Sequence, residues 1–395
     1  MVPKISLKKF ISARIANGHP WIYANEIEHV EGNPEPGDIV DVFTFSRQFV
    51  GRGYYNPRSL IRARLLTRSP ETIDTKFFEK RLQRALSFRE RFLEEKNVAR
   101  LVYGAADGLS GLVIDRLENT LVVQVNTYGM ERFKEDIFSF LVEKLHPLSV
   151  FEKSDSSSRE KEGLEPVVRW VSGQQAEAIP FSFSGLDFFV EPRSMQKTGF
   201  YLDQRMNALL ASQLCYPRGV EVLDAFCNTG QFGLRMLQQG AREVTFLDQS
   251  QEALRVNREL LRINGFAAQK QIEGNAFDVL RGFCDERRSF DVVILDPPSF
   301  TRSRSSKGNA LRGYKEVNLR GMDLLRPGGF LVTSSCSQAV SRQDFEMMVY
   351  SASTDRNATF RLVYRGGQPL DHPVVSNIFE TEYLKFYIYQ KVENP

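Results

Sequence analysis

Acids, a thiol and a pair of prolines stand at the ends of apolar runs in the second half of this sequence, and any chemistry it performs is most legible there. The run Val222-Leu-Asp-Ala-Phe-Cys-Asn-Thr-Gly-Gln-Phe-Gly233 brings Asp224, Asn228 and Gly230 into one turn. Asp248 closes Thr245-Phe-Leu-Asp248, 24 residues after Asp224, the length of one strand–helix–strand unit. Asn275 follows in Gly274-Asn-Ala-Phe277, Asp296 opens Asp296-Pro-Pro-Ser-Phe300, and Cys336 sits in Thr333-Ser-Ser-Cys-Ser337. An acid ending the second strand can accept both hydroxyls of a ribose, and a short polar side chain after the third can hydrogen-bond adenine. The first turn lacks the GxGxxG spacing that lets a backbone press against a pyrophosphate. S-adenosylmethionine has no pyrophosphate. It needs one close backbone approach, which Gly230 can give, and a partner for its ammonium, which Asp224 can be. A single Asp at a strand end is often only a helix N-cap; three such signals in register carry the cofactor assignment.

Two prolines stiffen the turn after Asp296 and aim its carboxylate at a planar substrate. Enzymes that methylate exocyclic amines often follow Asp-Pro-Pro directly with Tyr or Phe, whose ring stacks on the target base. Here Ser299 is interposed and Phe300 comes one residue late. Cys336 invites a different chemistry. Carbon 5 of a pyrimidine is a poor nucleophile, and a thiolate adding at carbon 6 makes it enamine-like. A base must then remove the carbon-5 proton before the thiolate leaves. Most free cysteines are small buried hydrophobes, but the place of Cys336 at the end of the fifth strand, facing the same crevice as Asp296, marks it as the nucleophile. Asp296 would bind the ring edge. Cys227, inside the cofactor turn, reads as structural. Lys197-Thr-Gly-Phe-Tyr-Leu-Asp-Gln-Arg205 precedes the first strand and is expected to cover the cofactor from the other side, through Phe200 and Asp203.

The elements that hold these residues follow from periodicity. Strand patterns at Glu221–Phe226, Glu243–Asp248, Gln271–Asn275, Phe290–Asp296 and Phe330–Cys336 alternate with helical ones such as Gln251–Leu261, which predicts a parallel, doubly wound sheet. Phe360–Tyr364 and Glu382–Gln390 follow with no helix between them and are expected to pair antiparallel at one edge. Earlier in the chain, the first seventy residues read as short strands and turns, suggesting a small β-barrel. Residues 75–96 have apolar residues at helical spacing; strands are expected at 112–126, a helix near 131–145, and an exposed polar loop over Lys153–Glu165.

Composition sets bounds. At 395 residues the chain is too long for one ordinary core. Its 42% hydrophobic and 26% charged residues are those of a soluble globular protein, and no apolar run suits a membrane span. The N-terminus does not read as a secretory signal, so a cytoplasmic location is expected. Four cysteines without a CxxC pair and four scattered histidines give no reason to expect a metal or a disulfide framework. The net charge of +3 proves no polyanionic partner. Two basic clusters are more suggestive: one within residues 1–70, the other comprising Arg302, Arg304, Lys307, Arg312 and Lys315 with no acid among them.

Taken together, His19-Pro-Trp-Ile-Tyr23, Ala106-Asp-Gly-Leu-Ser-Gly-Leu-Val-Ile-Asp-Arg116, Lys161-Glu-Gly163, Lys197–Arg205, Asp296–Phe300, Arg312-Gly-Tyr-Lys315, Ser335-Cys-Ser337 and Asp371-His-Pro-Val374 resemble the bacterial 23S rRNA cytosine-C5 methyltransferases that carry an N-terminal PUA domain. The resemblance implies an α/β protein of three parts: a PUA RNA-binding domain over 1–70, a central α+β domain over 71–190, and a class I (Rossmann-like) methyltransferase domain with a seven-stranded mixed sheet over 195–395. It implies Cys336 as nucleophile, S-adenosylmethionine as cofactor, and the basic clusters as phosphate-contacting surfaces. The implied partner is 23S rRNA or a large-subunit assembly intermediate; a homodimer is compatible with it. Two other readings stand beside this one: N-methylation of an RNA base by the Asp296-Pro-Pro element, and a non-catalytic RNA-binding assembly factor. The intact acids at 224, 248 and 296 speak against the last.

Overall fold

The computed structural model describes residues 2–10, 12–192, 200–216, 218–301 and 306–392, which form two compact units. The first comprises the chain to Phe183, Phe188–Leu202 and Leu370–Thr381; the second comprises Ser184–Asp187, Asp203–Pro369 and the chain from Glu382.

Two large sheets lie in the first unit. Lys4–Leu7, Trp21–Tyr23, Ile27–Glu31, Ile39–Phe43, Phe49–Tyr55 and Ile61–Thr67 make a six-stranded sheet whose core includes Ile5, Ile22, Val40, Val42 and Ala63. Val98–Tyr103, Leu112–Leu117, Thr120–Val125, Ser149–Ser154 and Val167–Gly173 make a second sheet in chain order. The helix Thr75–Phe92 starts where the Asp74 carboxylate accepts the Phe77 N–H (3.0 Å) and buries Phe77, Phe78 and Leu82. It stops four residues short of the predicted end.

One sequence reading needs correction here. Lys153–Glu165 is not an exposed loop: it contains the helix Ser157–Glu162, capped by Ser156 and ended by Gly163 in the left-handed region. Arg159 and Glu162 are buried, because each meets a partner distant in sequence. Arg159 donates to Glu131 (2.7 Å) and the Val125 carbonyl, while Glu162 accepts from Arg64 (2.8 Å) and Asn56. The N-terminal basic cluster is also less free than its count suggested, since Arg14 pairs with Glu26, Arg52 with Asp41 and Arg64 with Glu162. Glu162→Ala would strand Arg64, which is only 8% exposed. The expected cost is about 3 kcal/mol of stability, read as a lower denaturant midpoint with an unchanged slope.

The segment Leu370–Thr381 belongs to this first unit although both of its flanks belong to the second. Asp371 accepts the Arg100 N–H (2.8 Å) and its carbonyl accepts from Arg89, a guanidinium also bound to Asp107. Glu380 accepts from Nε2 of the buried His19 (2.9 Å), whose Nδ1 receives the Trp21 N–H.

The second unit is a seven-stranded sheet of β1 (Glu221–Ala225), β2 (Glu243–Asp248), β3 (Lys270–Glu273), β4 (Phe290–Leu295), β5 (Leu325–Ser335), β6 (Thr359–Gly366) and β7 (Lys385–Val392). Their order across the sheet is β3-β2-β1-β4-β5-β7-β6. The first five pair parallel, whereas β7 is antiparallel to both β5 and β6. The predicted antiparallel edge pair is present, with β7 inserted between β5 and β6. Central strands such as Phe290-Asp-Val-Val-Ile-Leu295 are buried on both faces, as parallel strands between helices must be. The helices are α1 (Arg205–Leu214), α2 (Gln231–Gln238), α3 (Gln251–Ile263), α4 (Ala276–Asp285), α5 (Lys307–Asp323) and α6 (Arg342–Asp355). Strand order reverses between β1 and β4, so a ligand crevice is expected outside their carboxyl ends. No helix among the described residues is long and apolar enough to cross a membrane.

Candidate active site

The turn after β1 is held in an uncommon conformation. Phe226 (φ 62°), Asn228 (φ 49°) and Gly230 (φ 86°) all lie in the left-handed region, which costs a non-glycine residue about 1 kcal/mol or more. Hydrogen bonds over-determine it: Cys227 N–H donates to the Leu247 carbonyl (3.0 Å), Asn228 N–H to Asp248 Oδ2 (2.8 Å), and Gly230 N–H to the Cys227 carbonyl (2.8 Å). Gly230 is required for a reason besides ligand approach. A Cβ there would stand 2.2 Å from Asn257 Nδ2 and 2.8 Å from the Phe246 ring.

Asp224 is 1% exposed on β1. Its Oδ2 accepts the Gly233 N–H (2.8 Å), but Oδ1 is buried with no hydrogen-bond partner. Burial pushes its carboxyl up to about 8, against the Gly233 bond and with help from Asp296 and Asp248. Gln231, first residue of α2 and 7% exposed, has its Nε2 buried and unpartnered as well. Buried polar groups without partners are rare and cost about 1–3 kcal/mol each. An orphan acceptor and an orphan donor bracketing one turn are what the ammonium and carboxylate of a methionine moiety require. The residues therefore fit S-adenosylmethionine. Sequence reasoning missed Gln231, although its place directly after Gly230 was a signal.

The other predicted cofactor residues are distributed as follows. Asp248 ends β2 half-buried, Oδ1 accepting the Ser250 N–H (2.9 Å) and Oδ2 the Asn228 N–H, so its carboxylate is fixed in orientation. Asn275 is exposed and caps α4, accepting the Phe277 N–H (2.9 Å). Asp203 is buried and accepts from the Tyr383 hydroxyl (2.6 Å). Phe200 packs in an aromatic cluster of the first unit, 5.0 Å from the ring centres of both Phe181 and Phe188. Of the preceding motif, residues 197–199 lie outside the described residues.

β4 and β5 lie side by side in parallel, with Leu295 paired to Thr333, so Asp296 and Cys336 both follow strand ends on one edge of the sheet. Asp296 Oδ1 accepts from Gln204 Nε2 (2.8 Å) and from the Ser334 hydroxyl, two residues before Cys336. Ser299 Oγ is 2.9 Å from Ser337 Oγ, which is 2.8 Å from the Tyr314 hydroxyl. Lys385 opens β7 and donates to the carbonyls of Ser337 (2.6 Å) and Tyr383 (2.7 Å). Cys336 is half-buried, unlike Cys215 and Cys227. Burial pushes the Cys215 thiol up to about 12 and, with Asp224 and Asp248, raises that of Cys227 well above its ordinary value. Phe300 is held in packing, 4.6 Å from the Tyr314 ring centre and 5.6 Å from that of Phe277.

Among the predicted nucleic-acid contacts, Arg302 and Arg304 lie outside the described residues. The three on α5 are less uniform in charge than the sequence suggested. Lys307 pairs with Asp344 and Lys315 with Asp355 of α6, each at 2.7 Å, while Arg312 is exposed and bonds Asn309. These helices frame an open groove of about 540 Å³ lined by Arg312, Lys315, Met347 and Met348.

Residues 5–68 match a PUA-like domain, and residues 159–386 match the S-adenosylmethionine-dependent methyltransferase family. The sequence is 38% identical over 392 residues to ribosomal RNA large subunit methyltransferase I of Shewanella frigidimarina, covering 98% of each chain. It is 36% identical to the protein of that name from Alteromonas mediterranea, covering 93% of each. A solved S-adenosylmethionine-dependent methyltransferase from Streptococcus mutans has the same fold, with a TM-score of 0.83 at 19% identity over 99% of this chain and 100% of that one. A methyltransferase structure complexed with SAH superposes with a TM-score of 0.84, also at 19% identity, over 99% of this chain and 100% of that one.

Proposed function

We propose, from the premise that the chain belongs to the S-adenosylmethionine-dependent methyltransferase family that includes the ribosomal RNA large subunit methyltransferases I, that it methylates carbon 5 of a cytosine in 23S rRNA. The observation that supports the reading best is Cys336 following β5 beside Asp296, whose Oδ1 accepts from the hydroxyl of Ser334, two residues before Cys336. S-adenosylmethionine supplies an electrophilic methyl group; the chain's residues must do the rest. Asp224 and Gln231 would hold the methionine end, Asp248 the ribose and Asn275 the adenine, with Asn228 and Gly230 shaping the turn and Asp203 fixing Tyr383. Phe200 would act from the segment before α1. Cys336 adds to carbon 6 and raises electron density at carbon 5, and Asp296 holds the ring edge where negative charge develops.

Residues 1–70 would serve as an RNA-binding PUA module, 71–190 as a central domain and 195–395 as the catalytic domain. Arg312 and the face of α5 near Lys307 and Lys315 would contact phosphates, joined by Arg302 and Arg304. The packing of Phe300 between Tyr314 and Phe277 speaks against N-methylation, which asks for a ring free to stack on the base.

The test is a mass map of rRNA from cells with and without the gene. One 5-methylcytosine should vanish from the large-subunit RNA and return when purified protein and S-adenosylmethionine are supplied. Loss of an N-methylated base instead would overturn the assignment.

A further inference from the structure

We propose that Lys385 is a positioning residue for the nucleophile, its amine taking the proton of the Cys336 thiol and holding the resulting thiolate; the proposal rests on Cys336 being the nucleophile. The argument starts from the register of two strands. β7 runs antiparallel to β5 with Lys385 opposite Ser335, and the Lys385 Nζ reaches forward to the Ser337 carbonyl at 2.6 Å. The lysine thus flanks Cys336 from the residue before it to the residue after it. It is 4% exposed, and both of these bonds are to neutral carbonyls.

A neutral amine has two N–H donors and one lone pair. The two donors suffice for the carbonyls of Ser337 and Tyr383, which leaves the lone pair to receive a proton. An ammonium gains a third N–H for the thiolate it has made. In the transfer the S–H bond breaks and an N–H bond forms. When the adduct later collapses, a base takes the carbon-5 proton, the C5–H pair forms the C5–C6 double bond, and the C6–S pair returns to sulfur, so the same ion pair is restored. Burial drives the amine toward its neutral form, with a value of about 8, and the Cys336 thiolate is the largest charge acting in the opposite direction.

Among the described residues, the other charges acting on Lys385 are Arg342, Glu382 and Asp344. Arg342 pairs with Glu382 at 3.0 Å and Asp344 with Lys307 at 2.7 Å, so their charges are matched. Tyr314, bonded to Ser337 Oγ, has its phenol raised by burial and stays neutral through this range.

The experiment follows alkylation of Cys336 by iodoacetamide across pH 6 to 9.5 in the full-length protein, the site resolved by peptide mass and folding checked by SAH affinity. Lys385→Gln keeps N–H donors for the carbonyls but has no basic nitrogen. Its alkylation profile should bend about one pH unit or more above wild type, with the rate at pH 7 down about tenfold. Superimposable profiles with SAH binding intact would overturn the proposal. If the Gln variant loses SAH binding, Lys385→Arg is measured instead, since it retains a fixed positive charge. A bend at or below wild type supports the pairing, and an upward shift overturns it. Full turnover by Cys336→Ala would defeat the nucleophile reading alone, because the alkylation profiles are measured without turnover.

Discussion

Replacing Cys336 by alanine is expected to reduce methyl transfer on the order of 10⁴-fold or more while leaving SAH affinity unchanged. Without the thiolate, carbon 5 of cytosine has no route to nucleophilic character, and nothing else described near Asp296 can add to carbon 6. RNA containing 5-fluorocytosine sharpens the measurement, because fluorine at carbon 5 cannot leave as a proton and the covalent adduct should persist in denaturant. Wild type should form that adduct and the alanine variant should not. Robust turnover by the variant would mean that the chemistry occurs at an amine rather than at carbon 5.

Asp224→Asn should weaken SAH binding about 100-fold, because a charge-assisted bond to the cofactor ammonium is exchanged for a neutral one. The wild-type pH profile follows from the raised carboxyl. In the free protein Asp224 stays protonated up to about pH 8, whereas the ammonium needs a carboxylate. The apparent association constant should therefore fall about tenfold per unit as the pH drops below 8 and level off above it. In Asp224→Asn that slope should disappear. Stability has the opposite sign. The folded value lies above the ordinary 3.8, so the group's contribution is fully present below that value and is lost as pH rises through about 8. At pH 9 the cofactor-free Asn variant should melt above cofactor-free wild type, since Asn can still accept the Gly233 N–H. Calorimetry at three pH values reads both effects. A pH-independent wild-type affinity would show that Asp224 does not meet the ammonium.

The acids were legible in the sequence because parallel strands point their carboxyl ends one way, so that chain spacing translates directly into a shared edge. Asp224, Asp248 and Asp296 needed nothing more than recognition of strand–helix alternation. Lys385 was illegible for the complementary reason. It lies 49 residues beyond Cys336, and only the reversed direction of β7 beside β5 brings the two together. Arg159 and Glu162 misled because a charged run ordinarily means a solvated loop; their burial depends on partners such as Glu131 and Arg64, whose proximity no local pattern encodes. The partners of the α5 lysines were hidden for the same reason, since Asp344 and Asp355 that temper them stand on the next helix.

The chain's excursion through Leu370–Thr381 also has consequences for its biosynthesis. Asp371 and Glu380 satisfy Arg89, Arg100 and His19, groups made some 270 to 360 residues earlier. A ribosome releasing the polypeptide from its N-terminus exposes those groups long before their partners exist. The first unit therefore completes these contacts only when almost the last strand has been translated, and a truncation ahead of residue 370 would take away partners of Arg89, Arg100 and His19.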